Sequence, residues 1–215
     1  TDLPHMLPAK EKWEEIVSSM GISNTDRIII YDNSDVLSSC RGWYNFIYFG
    51  HDKHLVSVLD GGLKKWLIEN KKTTNEKTIL NKSTYRAIEN KSLVKNIFEI
   101  NQNIEKKKFT IIDARSRERF NGSVPDPRKN VRSGSIPNSV CLPFKEIVNS
   151  SDNTFKGVSE ISKKFSEIID LNDDKRVFSC GSGITACVLG LAYSLVNNTY
   201  SPTVYDGSWA EYGRI

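Results

Sequence analysis

The stretch "FSCGSGITACVLGLAY", residues 178–193, joins two apolar runs through a short segment of glycine and serine. The first run, "KRVFSC" (175–180), has the length of a strand, and the second, 184–196, has the length and composition of a buried helix. Cys180 ends the first run. In an open α/β sheet, ligands bind where strands end and helices begin, so the sequence places Cys180 where such a fold builds a site.

Short apolar runs alternate with longer amphipathic ones along the rest of the chain. The run "RIIIYD" (27–32) is almost wholly apolar, which is typical of a strand buried on both faces. Strands that alternate with helices predict an α/β fold with mostly parallel sheets. The predicted strands are 27–32, 55–62, 109–115, 139–144, 175–180 and 202–207, and the predicted helices are 10–20, 38–50, 64–70, 93–105, 160–169 and 184–196.

Two parts of this pattern repeat each other. The segment "DRIIIYD…SVLDGGLKKW" (26–66) aligns with "DKRVFSC…TVYDGSWAEY" (174–212), and both copies close on Asp-Gly and an aromatic residue. At the strand tip, the first copy has Asp32 where the second has Cys180. Because the thiol occurs at this position in the second copy alone, we expect any chemistry to belong to the second half.

The repeat divides the chain into two predicted domains. Residues 71–92 are rich in Lys, Asn, Thr and Glu, which favours a connection on the surface. We therefore expect an N-terminal domain at 1–70, a linker at 71–91 and a catalytic C-terminal domain at 92–215. The first domain has no counterpart of the strands that open the second. Either this domain has lost its opening strands or it is truncated at its start because the sequence is a fragment of a longer protein. We favour the fragment, since a parallel sheet without its first strand would leave an unpaired edge.

The composition excludes several classes of protein. Thirty basic and 26 acidic residues give a net charge of +4, which is too balanced to predict nucleic-acid binding. No apolar run reaches the length that spans a bilayer, so we expect no membrane association. The four cysteines form no C-x-x-C pair, which fits neither a disulfide framework nor a zinc site and indicates a reducing compartment. We expect neither a metal nor a cofactor.

The loop after the cysteine has the composition of an anion-binding turn. Gly181 and Gly183 permit positive φ and close backbone approach, so the loop amides, with those of Ile184 and Thr185, can point at one atom. A cysteine thiolate is the obvious occupant, because a helix N-terminus favours the charged form of the thiol. The Ser182 hydroxyl can donate toward sulfur or substrate, and we expect the Thr185 hydroxyl to cap the helix.

Three kinds of chemistry use a loop of this shape. A Walker A loop requires a lysine that is missing here, and a Cys-x5-Arg phosphatase requires an arginine where the chain has Ala186. What remains is a cysteine that carries sulfur as a persulfide inside the loop. The alternative is an unreactive buried cysteine, since free cysteines are often buried.

The segments "CGSGITA" (180–186) and "YDGSWAEY" (205–212) resemble the active-site region of the two-domain rhodanese superfamily, in particular of 3-mercaptopyruvate sulfurtransferases. The resemblance implies tandem rhodanese-like domains, each a mostly parallel sheet flanked by helices. In that family the first domain is catalytically silent and carries an aspartate in place of the cysteine, which Asp32 matches. The resemblance covers nearly the whole chain, through "PHMLP" (4–8), "GHDKHLVSVLDGGLKKW" (50–66), "DARSRERFNGSVPDPR" (113–128) and "GSIPNSVCLPF" (134–144).

The resemblance also implies roles for residues far apart in sequence. Arg119 and Arg128 match the two arginines that bind the carboxylate of mercaptopyruvate. His5 matches a histidine that works with the loop serine, here Ser182, in proton transfer beside Cys180. Without the resemblance, Arg119 would be interpreted as a solvated helix residue, Arg128 as part of a loop salt bridge and His5 as an exposed residue.

Other conspicuous residues are expected to lie outside the site. The chain departs from the family at Ser135 and over "SSCRGWYNF" (38–46), and we expect neither departure to touch the site. The basic residues expected to be structural or exposed are Arg115, Arg117 and Arg132, and those expected at the surface are His51 and His54.

The resemblance implies an enzyme that moves sulfane sulfur from 3-mercaptopyruvate to a thiol acceptor such as thioredoxin, or to cyanide, through a Cys180 persulfide, releasing pyruvate. The neutral loop favours mercaptopyruvate, because rhodaneses that prefer thiosulfate tend to have cationic loops. The alternatives are a thiosulfate:cyanide sulfurtransferase and a protein-to-protein sulfur-relay carrier with little small-molecule turnover. We expect a cytoplasmic monomer, or a mitochondrial protein if the source is eukaryotic and a transit peptide precedes Thr1.

Overall fold

Two parallel β-sheets flanked by helices form the framework of the protein, for which a computed structural model describes residues 2–172 and 175–215. The strands are β1 (Ile28–Ile30), β2 (Val56–Val58), β3 (Val94–Lys95), β4 (Thr110–Asp113), β5 (Val140–Cys141), β6 (Arg176–Ser179) and β7 (Val204–Tyr205). The α-helices are α1 (Lys10–Ser19), α2 (Ser39–Tyr48), α3 (Gly62–Ile68), α4 (Ile97–Lys106), α5 (Arg117–Asn121), α6 (Val158–Ser166), α7 (Ile184–Asn197) and α8 (Ser208–Tyr212). Short 3-10 helices span Lys91–Leu93 and Phe144–Ile147.

The larger sheet lies in the second half and is parallel throughout, with the strand order β3-β7-β6-β4-β5. β6 is its central strand, and Phe178 of β6 lies between Ile112 of β4 and Val204 of β7. All four residues of β6 are buried, as expected for a strand covered on both faces. The predicted α/β architecture is confirmed, and the central strand leads directly into the cysteine loop.

The smaller sheet pairs β1 with β2 in the first half. The sequence predicted a strand buried on both faces at 27–32, and this is wrong. Ile28 is buried, but the side chains of Ile29 and Tyr31 are 63% and 60% exposed. The apolar run packs one face against the core and presents the other to solvent, which apolar content alone does not distinguish.

The two halves share one hydrophobic core. Helix α2 packs against α7, and Trp43 and Phe49 belong to the same buried cluster as Cys187 and Leu189. The start of α7, where the cysteine loop ends, therefore lies next to the first half of the chain.

The predicted linker has no regular secondary structure from residue 71 to residue 90, but its second part packs on the first half. The backbone of Ser83 donates to the carbonyl of Ser18 at 3.0 Å, and Tyr85 is buried. His51 stacks on Tyr85 with ring centroids 5.8 Å apart and bonds to the Asp26 carbonyl through Nε2, so its predicted surface position is wrong. The domain boundaries themselves stay a prediction.

Candidate active site

Cys180 lies at the end of β6 with 2% of its surface exposed. The Ser182 amide donates to its Sγ at 3.4 Å, and the Cys180 amide donates to the Ser208 hydroxyl at 3.2 Å. Gly183 follows with φ of +81°, a left-handed conformation that favours glycine, and is the N-cap of α7. No side chain caps this helix, so the predicted capping by Thr185 is wrong: Thr185 lies half-buried within the first turn.

The short helix α8 holds the loop from its other side. The Trp209 amide donates to the Cys180 carbonyl at 3.0 Å, and the Ala210 amide donates to the Gly181 carbonyl at 2.9 Å. These bonds turn the carbonyls of Cys180 and Gly181 toward α8. The Ser182 N–H, in contrast, is directed toward the Cys180 sulfur. The orientation of the loop is thus set by residues of "DGSWAEY" (206–212), a segment that the resemblance had assigned to the active-site region.

Both predicted arginines lie beside this loop. Arg119 is in α5 and Arg128 in the segment after it, and a β-carbon added to Gly181 would lie 3.4 Å from Arg119 Nη2 and 3.1 Å from Arg128 Nη2. The Arg119 Nε is buried without a hydrogen-bond partner. The structure therefore brings two guanidinium groups to the residue that follows the cysteine.

One carboxylate that the sequence analysis did not single out, Asp126, binds both arginines. Its Oδ2 accepts from Arg119 Nη2 at 2.7 Å, and its Oδ1 accepts from the Arg128 amide at 3.0 Å and from Arg128 Nη1 at 3.2 Å. Burial alone would raise the pKa of Asp126, but the hydrogen bonds and charges of both arginines hold it below its ordinary value. The sequence contained one signal for this contact, because Asp126 stands two residues before Arg128 in the segment Asp-Pro-Arg.

His5 reaches the cysteine loop from the start of the chain. Its Nδ1 lies 2.9 Å from the Ser182 hydroxyl. His5 has φ of +62°, and two bonds hold its segment: Arg41 Nη2 donates to the His5 carbonyl at 2.9 Å, and the Leu7 amide donates to Asp206 Oδ2 at 2.8 Å. Three predicted residues, His5, Ser182 and Cys180, are thereby brought together across 177 positions of sequence.

Arg41 belongs to the segment 38–46 that was expected not to touch the site, and that expectation is wrong. Its Nη1 donates to the carbonyl of Gly183, at 3.2 Å, and its Nη2 to Asp206 Oδ1, at 2.7 Å. The other arginines are structural or exposed, as predicted: Arg115 pairs with Asp113, Arg117 with Glu146, and Arg132 lies at the surface.

In the first copy, Asp32 occupies the position of the cysteine. Its Oδ2 accepts from the hydroxyls of Ser34 and Ser38, at 2.6 and 2.9 Å, and from the Ser39 amide at 3.2 Å. The carboxylate is thus held by polar groups of its own loop and of the start of α2.

The other cysteines differ from Cys180 in their surroundings. Burial raises the pKa of the Cys187 thiol to about 12 and that of Cys40 well above its ordinary value. Burial is also the main reason that the pKa of Cys141 is raised to about 11. Among the described residues, no group of three or more His, Cys, Asp and Glu side chains is arranged to hold a metal ion. Nor does the described part of the chain contain a helix long and apolar enough to cross a membrane.

Comparison with known proteins confirms the class that the sheet and the cysteine loop define. The profile of the rhodanese-like domain matches residues 3–69 and 98–214, and the chain belongs to the rhodanese family. It is 36% identical over 234 residues to the mitochondrial thiosulfate/3-mercaptopyruvate sulfurtransferase 1 of Arabidopsis thaliana, in an alignment that covers 99% of this chain and 60% of that protein. It is also 36% identical over 211 residues to the 3-mercaptopyruvate sulfurtransferase of Homo sapiens, with 97% of this chain and 69% of that protein covered.

A solved structure supports the same assignment. SseA from Escherichia coli, whose crystal structure is described with the rhodanese fold and the mechanism of 3-mercaptopyruvate sulfotransferases, superposes with a TM-score of 0.82. The two chains are 30% identical, and the match covers 98% of this chain and 77% of SseA. This chain spans 60% and 69% of the lengths of the two curated relatives described above.

Proposed function

We propose that the protein transfers sulfane sulfur from 3-mercaptopyruvate to a thiol acceptor or to cyanide, through a persulfide on Cys180. The observation that carries the proposal is the pair of guanidinium groups beside Gly181. A substrate whose sulfur meets Cys180 would have its carboxylate close to Arg119 and Arg128. The names of the relatives support mercaptopyruvate and thiosulfate as sulfur donors in this family.

Binding would use the arginines as a carboxylate site. A guanidinium presents parallel N–H groups that match the two oxygens of a carboxylate. Asp126 bonds to part of each guanidinium and leaves the Arg119 Nε without a partner. The bound substrate would therefore be anchored at its carboxylate, with its thiol directed toward the cysteine loop.

In the first half-reaction, the Cys180 thiolate attacks the sulfur of mercaptopyruvate. A sulfur–sulfur bond forms while the carbon–sulfur bond breaks, and the electron pair of the broken bond goes to the carbon, giving the enolate of pyruvate. The proton of the substrate thiol balances the step by reaching that carbon. Ser182 and His5, whose Oγ and Nδ1 lie 2.9 Å apart, would relay it.

The persulfide would then be held in the loop until an acceptor arrives. The Ser182 N–H, 3.4 Å from Sγ, is a donor to negative charge at the sulfur. In the second half-reaction, an acceptor thiolate or cyanide attacks the outer sulfur and the electron pair returns to Cys180. A covalent intermediate of this kind predicts ping-pong kinetics.

Release of pyruvate and sulfide from mercaptopyruvate with a thiol acceptor tests the proposal. The assay compares the unchanged chain, Cys180→Ser and the control Cys141→Ser, with thiosulfate and cyanide measured in parallel. We expect turnover of mercaptopyruvate that disappears in Cys180→Ser and persists in Cys141→Ser. A clear preference for thiosulfate would refute mercaptopyruvate as the preferred donor but would still agree with a persulfide on Cys180. Turnover of neither donor would refute both and favour a carrier that another protein loads.

The acceptor, the oligomeric state and the compartment belong to the same proposal. Thioredoxin or a small thiol is proposed as the acceptor because its product, a disulfide or persulfide, can be reduced again in a reducing compartment. We propose a monomer in the cytoplasm, or in mitochondria as for the Arabidopsis relative. Light scattering and cell fractionation test these two points.

A further inference from the structure

Arg41 reaches from the first half of the chain into the surroundings of Cys180. It projects from α2, and 6% of its side chain is exposed. Its guanidinium donates to the carbonyls of Gly183 and His5, at 3.2 and 2.9 Å. One side chain therefore contacts the residue that ends the cysteine loop and the residue that faces Ser182.

Asp206 completes this arrangement from the second half. It follows β7, its side chain is 6% exposed, and its Oδ1 lies 2.7 Å from Arg41 Nη2. Its Oδ2 accepts from the Leu7 amide at 2.8 Å. The ion pair thus holds the segment of His5 at two backbone groups, one on each side of Met6.

A buried ion pair by itself is weak evidence for stabilisation, because desolvation offsets much of the attraction. What distinguishes Arg41 is that its guanidinium donates to three acceptors in fixed directions. A lysine ammonium cannot reproduce this planar, forked arrangement of donors. The contact with the loop is also close. A β-carbon on Gly183 would lie 2.7 Å from Arg41 Nη1 and 3.0 Å from the Asp206 carbonyl oxygen.

We propose that Arg41, with Asp206, is a positioning residue for the reaction at Cys180. It fixes His5 against Ser182 and holds the Gly183 end of the cysteine loop. The copy with Asp32 at its strand tip thereby supplies part of the geometry of the copy with Cys180. The kinetic part of this proposal rests on the proposed function, whereas its structural part does not.

Hydrogen exchange tests the structural part without any turnover. In Arg41→Lys and Asp206→Asn, we expect the amides of residues 5–7, 9 and 181–186 to exchange at least about tenfold faster, because the bonds that hold these segments are lost. The matched control is Arg115→Lys. Arg115 pairs with Asp113 at the same 2.7 Å, with side chains 1% and 2% exposed, and has no hydrogen bond to the cysteine loop. Its cation–π contact, 4.5 Å from the centroid of the Trp209 ring, remains available to lysine. Unchanged exchange of both segments in both variants, with the controls intact, would overturn the proposal.

Single-turnover kinetics test the positioning role. Persulfide formation, followed by mass spectrometry, should slow by about 10- to 100-fold in Arg41→Lys, the cost of a displaced catalytic group. The concentration of mercaptopyruvate at half-maximal rate should stay within about twofold, because Arg119 and Arg128 are untouched. A similar slowing in Arg115→Lys, or an effect confined to substrate affinity, would refute the role.

A combined variant separates positioning from general loss of structure. If Arg41 acts through His5, adding Arg41→Lys to His5→Gln should cost much less than Arg41→Lys alone, since the group being positioned is already gone. Additive losses would contradict that route. If the unchanged protein transfers sulfur from neither donor, the proposed function fails, and the exchange experiment still decides whether Arg41 holds the two segments.

Discussion

Replacing Asp126 by asparagine should weaken the binding of mercaptopyruvate and leave the chemistry of the persulfide unchanged. The asparagine Oδ1 can still accept from the Arg128 amide, which lies 3.0 Å from the present carboxylate. Its Nδ2 would instead face Arg119 Nη2, now 2.7 Å from Oδ2, and two donors would meet. Arg119 should therefore leave the position that it holds beside Gly181, while Arg128 can keep both of its bonds, because both go to Oδ1.

The magnitude follows from one charged hydrogen bond that is partly open to solvent. Hydrogen bonds to charged groups contribute about 1.5–3 kcal/mol. Asp126 is 2% exposed but Arg119 is 27% exposed, so we take the lower end of that range. About 1.4 kcal/mol corresponds to a tenfold change. We therefore expect kcat/KM for mercaptopyruvate to fall about tenfold, mainly through KM.

Initial rates of pyruvate release, at varied mercaptopyruvate and saturating thiol, measure this effect. Cyanolysis of the preformed persulfide, which needs no carboxylate site, should keep its rate. Glu146→Gln is the matched control, since Glu146 accepts from Arg117 Nη2 at the same 2.7 Å but at the surface. If KM in Asp126→Asn equals that of the unchanged protein while the fold is retained, Asp126 does not position the substrate site.

Two further predictions concern the loop and the other cysteines. Gly181→Ala should raise KM a few-fold with little loss of stability, because its β-carbon would press on the Arg128 guanidinium at 3.1 Å. Gly183→Ala should instead lower both the unfolding midpoint and kcat, because alanine is strained at φ of +81°. Kinetics and urea unfolding of both variants check this contrast, and equal effects would contradict it. Burial raises the pKa of Cys187 to about 12, so that thiol stays protonated at pH 8. Because the thiolate is the form that reacts with iodoacetamide, peptide mapping should find Cys187 unmodified in the folded protein. Modification of Cys187 before unfolding would show that the core around α7 opens.

The part of the site that is contiguous in sequence could be predicted from the sequence. Strand, cysteine loop and helix follow one another within residues 175–196, so local pattern and glycine chemistry suffice to place Cys180. The arginines and His5 are different. Nothing in their local sequence separates a substrate ligand from an ordinary surface side chain, and the resemblance to a family supplied their assignment.

Arg41 and Asp126 escaped sequence analysis for a physical reason. Their significance lies in contacts made by the folded chain, since Arg41 and Gly183 are 142 positions apart. His51 was misjudged for the same reason: a polar residue in a loop predicts exposure, but the segment around Tyr85 packs over it. Patterns of hydrophobicity report how an element packs and say little about which distant loop covers it.

The two copies share an architecture, and each contributes residues to the surroundings of Cys180. In the first copy, Asp32 is bound by Ser34 and Ser38 of its own loop. The helix that follows that loop, α2, still packs against α7 and carries Arg41 to the cysteine loop of the second copy. The first copy therefore contributes to the surroundings of Cys180 through its packing face, although Asp32 stands where the second copy has the cysteine. Substitutions at the α2–α7 interface should alter the geometry around Cys180, whereas substitutions around Asp32 that keep α2 in place should not.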